Sequence, residues 1–124
     1  MTIRIFFTIL AVLAFLFGVG FILVPDQVIA TYGIQPSPAL ALLGRLYGGS
    51  LLSLAAILWF ARDFGDGAAL RAVLIGAAII GVVSLVVSVM STLSGVQNAM
   101  GWSTVLIHLF VTAGSAYFLM GRSS

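Results

Sequence analysis

Lysine, glutamate and cysteine do not occur in this chain of 124 residues, whose only fixed charges are five arginines and three aspartates. Without cysteine there is no disulfide framework, no thiolate nucleophile and no Cys-ligated zinc or iron–sulfur site. Without lysine, and with its arginines scattered, the chain has no basic patch for phosphates, so a net charge of +2 points to no nucleic-acid partner. Catalytic signatures are missing too. There is no Gly-x-Ser-x-Gly, no His-Glu-x-x-His and no phosphate-binding glycine loop. A single histidine without a carboxylate in the apolar runs makes a poor hydrolytic site, and a metal centre would need ligands that the chain lacks. A proton-coupled exporter normally carries an intramembrane carboxylate, and none lies in those runs. Haem or chlorophyll on one histidine would need a partner subunit or a second axial ligand.

What remains is overwhelmingly apolar: 62% hydrophobic residues against 6% charged, far from the balance of a soluble globule. The chain reads as one integral membrane domain, 1–124. Ile5 to Val24 carries no charge and has about the 20 residues that cross a hydrocarbon core as helix. A cleaved signal peptide is the competing reading, because Arg4 precedes the run and Val28-Ile29-Ala30 follows it. The run's length, with Gly18 and Gly20 suited to close helix contact, favours a span. Three prolines, Gly33 and several polar residues then mark a connecting segment up to Pro38, read as an ordered loop in which Val28, Ile29 and Tyr32 fit a short interfacial turn of helix.

Further spans are expected at about 39–60, 68–91 and 100–120, the second ending in Trp59, Phe60 and Arg62, an aromatic-then-cationic membrane edge. Asp66, in the turn before the third, is placed to cap it. Short connections make an all-α, four-helix up-down bundle the economical architecture. Arg4, Arg62, Arg71 and Arg122 then share one side and Arg45 lies on the other, so the positive-inside rule puts both termini in the cytoplasm. Small residues at helical spacing, namely Gly44, Gly48 and Gly49, then Ala77, Gly81, Ser84 and Ser88, read as packing faces.

Arg45 is the costly residue, since a guanidinium within a bilayer is penalised by about 2.5 kcal/mol or more and must face protein, water or headgroups. It lies about 9 Å into its helix, and His108 about 12 Å into the fourth, counted at 1.5 Å per residue from the same side. Asp26, the carboxylate on that side, is the natural counter-ion. The expected site is a polar pocket in the outer half, with Asp26 and Arg45 paired at the mouth and His108 at the floor. Tyr47, Gln97, Asn98 and Trp102 would form its rim. Such a pocket suits a lipid, an isoprenoid or a quinone headgroup. Two plainer roles compete: Arg45 snorkelling to phosphates, and His108 bonded to Ser84 or Ser88 across a helix interface.

Tyr32-Gly33, Gly44-Arg45-Leu46-Tyr47-Gly48-Gly49, Gly101-Trp102 and His108, taken with span count and length, resemble the DoxX-like group and related uncharacterised families of small bacterial four-helix membrane proteins. The resemblance implies a bundle in the bacterial inner membrane and, through some members, an association with quinone-linked oxidoreductases. It carries over no catalytic residue. Sequence reasoning therefore arrives at a protein without self-sufficient catalysis that binds a lipid-like molecule or serves a larger membrane complex. A quinone-holding component and a homo-oligomeric transporter are the other two readings.

Overall fold

The computed structural model describes residues 1–121 and, over them, is all-helical. Arg122 lies outside the described residues. The helices are α1 (Ile3–Leu23), α2 (Pro25–Thr31), α3 (Pro38–Ala61), α4 (Ala68–Leu93) and α5 (Gly101–Leu119). All except α2 are long and apolar enough to cross a membrane, which makes this a small multi-pass membrane protein. The spans run up and down as expected, with ends moved by one or two residues.

Local chemistry sets several of those ends. The Thr2 hydroxyl accepts from the Ile5 N–H at the start of α1. Ser37 accepts from the Leu40 N–H, and Pro38 follows it at a first helical position, where a missing N–H costs nothing. The expected cap on α4 is not formed: its N-cap is Gly67, with no side-chain hydrogen bond, and Asp66 stands one residue too early. The Pro-rich connection is more ordered than a loop. Pro25 opens α2, Ile29 is buried, and the chain turns out of the helix through Gly33 at φ 77°, a left-handed conformation that glycine adopts without strain.

Without a hydrophobic drive between helices inside lipid, packing depends on how closely surfaces approach. α1 pairs with α3, and α4 with α5. A Cβ on Gly48 would stand 2.7 Å from the Gly18 carbonyl oxygen, so the α1 and α3 backbones nearly touch there. Gly44 lies against Phe21 and Pro25. In the other pair Gly81 faces Thr112, and Gly101 faces Thr92. Gly49 differs from Gly44 and Gly48: nothing lies within 4 Å of where its side chain would begin, so within this chain it meets no other helix.

The two pairs join at the end that holds the amino terminus. Phe6, Phe7 and Leu58 are fully buried there, with Leu70, Leu74 and Ala77 from α4 and Val111 and Phe118 from α5. Phe6 meets Phe110 edge-on at 5.4 Å and fits because Gly114 has no Cβ in its way. At the rim, Arg4 pairs with Asp63, and Arg62 donates to the Thr8 hydroxyl while stacking 3.6 Å over Trp59. Toward the opposite end the shared core stops. The next cluster, Ala14, Leu51 and Ala55, belongs to α1 and α3 alone.

Candidate functional site

Where the pairs part, they leave between them a half-open cavity of about 370 Å³. Its walls are apolar: Leu10, Leu13 and Phe17 of α1, Leu51 and Leu54 of α3, Ile80 and Val83 of α4, and Ile107 and Val111 of α5. Ile29, Tyr32 and Ile34 cover it, so α2 and the segment after it form a roof. The polar side chains in this wall are few. Tyr32 comes from the end of α2, Tyr47 from α3, Ser84 and Ser88 from α4, Thr104 and His108 from α5, and Gln97 from the α4–α5 turn. A few polar groups in an apolar pocket of this size is the ordinary form of a small-molecule site.

His108 is the best defined of them. Its Nδ1 lies 2.8 Å from the Thr104 carbonyl oxygen one turn earlier. A carbonyl can only accept, so the ring donates from Nδ1, and in the neutral imidazole Nε2 is left as an acceptor. The Nδ1 contact is the ring's one hydrogen bond among the described residues, and the anticipated link to Ser84 or Ser88 is not made. The register that sets Gly81 against Thr112 and Gly101 against Thr92 brings His108 level with Leu85, between Ser84 and Ser88. Helical serines commonly bond back to the carbonyl four residues earlier, as Thr92, Thr104 and Thr112 here bond to nearby carbonyls of their own helices. Ser84 and Ser88 have no such bond among the described residues and line the cavity instead. Gln97 Oε1 is buried without a donor, which costs about 1–3 kcal/mol for a group of this kind.

The other expected members stand elsewhere. Arg45 is exposed and does not line the cavity; its Nε donates to the Ile22 carbonyl at 3.2 Å. That carbonyl is among the last four of α1, which have no partner within their own helix and carry partial negative charge. Arg45 thus caps α1 from the neighbouring helix. The Asp26–Arg45 pair is not formed, and the ion pair among the described residues is Arg4 with Asp63. Asp26 lies exposed in the first turn of α2, where a carboxylate complements the helix dipole. Asn98 is occupied structurally: Nδ2 donates to the Thr31 carbonyl at 3.1 Å and Oδ1 accepts from the Met100 N–H at 2.9 Å. Trp102 is 45% exposed on the first turn of α5, as befits an aromatic at the membrane interface.

The residues that sequence reasoning undervalued are the two serines and Thr104. Their signal was there, since Ser84 and Ser88 are one turn apart at the depth of His108, but small polar residues in a span look the same whether they pack or bind. A second apolar depression, of about 400 Å³, adjoins the cavity between α3 and α4. It is lined by Ile57, Val73 and Gly76 and shares Tyr47, Leu51, Leu54, Ala77 and Ile80 with the cavity wall. Set against protein-family models, curated proteins and solved structures, the chain finds no match in any of the three.

Proposed function

We propose that this membrane protein holds one lipid-like molecule between its two helix pairs. The polar end sits beside His108, Ser84 and Ser88, and the hydrocarbon tail leaves between α3 and α4 toward the bilayer. The observation that carries this reading is the cavity itself: a space of about 370 Å³ with apolar walls and a few polar side chains, among them Ser84 and Ser88 of α4 and His108 of α5. An isoprenoid or other single-tailed lipid suits that division. The adjoining depression supplies a tail path that needs no passage through water. A bacterial inner membrane and kinship to the DoxX-like or related families belong to the same proposal and rest on the sequence resemblance, while service to a larger complex rests on aqueous connections too short to form a catalytic domain. A quinone headgroup is the second reading, favoured by an imidazole in the wall; the redox chemistry would then be the cofactor's own.

Extraction in mild detergent followed by mass spectrometry of co-purified small molecules tests the reading. One lipid species is expected at near one per chain, falling at least about tenfold in Ser84→Phe, which fills the space, an occupancy change worth about 1.4 kcal/mol. A wild-type preparation without a stoichiometric lipid, or equal retention by Ser84→Phe, would remove the proposal.

A further inference from the structure

Resting on that cavity, the geometry points to a narrower ligand class: the polar end is a hydroxyl, as in a long-chain prenyl alcohol or a quinol, and not a carbonyl. The Thr104 carbonyl takes the proton-bearing edge of the His108 ring at 2.8 Å. This leaves Nε2 as a hydrogen-bond acceptor, so whatever satisfies it must donate. Ser84 and Ser88, on either side of its level on α4, each bring a hydroxyl able to donate in return. A ligand hydroxyl gives its proton to His108 Nε2 and receives one from a serine, so both sides are satisfied. A ketone, quinone or ester carbonyl accepts from a serine but offers no proton to Nε2, which is then satisfied only if the other serine turns to it, a link that this structure does not form. The same holds for an ether.

The chain reconstituted in phosphatidylcholine nanodiscs is titrated with geranylgeraniol and with its methyl ether, which differ only in the donated proton. Binding is read by native mass spectrometry. The alcohol should bind at least about tenfold more tightly than the ether, the size of one well-made hydrogen bond. In His108→Phe, which keeps a ring but has no acceptor, the two should come within about twofold of each other, chiefly through weaker binding of the alcohol. Ser84→Ala, a milder change that preserves helix packing, should narrow the gap in part. Equal binding of alcohol and ether by the unaltered protein, or a preference undiminished in His108→Phe, overturns the hydroxyl assignment while leaving the cavity reading in place. Failure of both compounds to bind overturns the cavity reading and, with it, this one.

Discussion

Gly48 and Gly49 are neighbours in sequence with opposite surroundings. A Cβ on Gly48 meets the Gly18 carbonyl oxygen at 2.7 Å and Ile22 at 2.9 Å, whereas one on Gly49 meets nothing within 4 Å. Gly48→Ala must push α1 and α3 apart, a form of overpacking that costs about 1–3 kcal/mol. Gly49→Ala adds a methyl to an open helix face and should stabilise by up to about 1 kcal/mol, the helix propensity difference between the two residues. Thermal unfolding in detergent, followed by helical circular dichroism, should therefore move in opposite directions for the two variants. Shifts of the same sign would contradict the pairing of α1 with α3. The Gly44–Gly48 spacing announced a close contact in the sequence alone. Spacing marks a helix face but does not say what that face meets, which is why Gly49 and Arg45 could not be placed the same way.

At the level of elements, the roof over the cavity is held by Asn98. Its backbone N–H donates to the Tyr32 carbonyl at 2.9 Å and its side chain to the Thr31 carbonyl, tying the end of α2 to the α4–α5 turn 67 residues away from Thr31. The same side chain accepts from the Met100 N–H at the entrance to α5. Gly33 permits this approach, since a Cβ there would come within 3.0 Å of Asn98. Asn98→Ala keeps the backbone bond and removes both side-chain bonds, a loss of about 1–2 kcal/mol confined to the roof. Hydrogen exchange should quicken across 28–34 and at Met100 while the amides of Phe6–Leu10 stay protected. Unchanged protection over α2 would show that the roof is held by Ile29 burial instead. Composition revealed the connection's turns and prolines, but a tie between two loops so far apart in the chain leaves no trace in local sequence.

On the scale of the whole molecule the fold is asymmetric. The end with the amino terminus is closed by a shared aromatic core and fringed by Arg4, Arg62 and Arg71, and the other end opens around the cavity, with Arg45 as its cation. Four spans and their alternation were legible because each run is apolar over a full membrane thickness. Which helices would pair was not, since a uniformly apolar span presents no stripe to orient it. For the site, His108 and Tyr47 could be found by polarity alone. Arg45 was misplaced because the cost of a buried charge demands a polar partner without naming one, and the end of α1 supplies it. The arginine asymmetry still fixes an expected orientation, with the closed end cytoplasmic and the roofed cavity outside. Because the chain has no cysteine, single replacements report this cleanly. In intact bacterial cells a membrane-impermeant maleimide should label Gln35→Cys, beside the roof, and spare Gly65→Cys, in the α3–α4 turn, until the cells are lysed. The reverse pattern would turn the cavity toward the cytoplasm. A ligand would then have to come from the inner leaflet, even though every helix contact described above stayed the same.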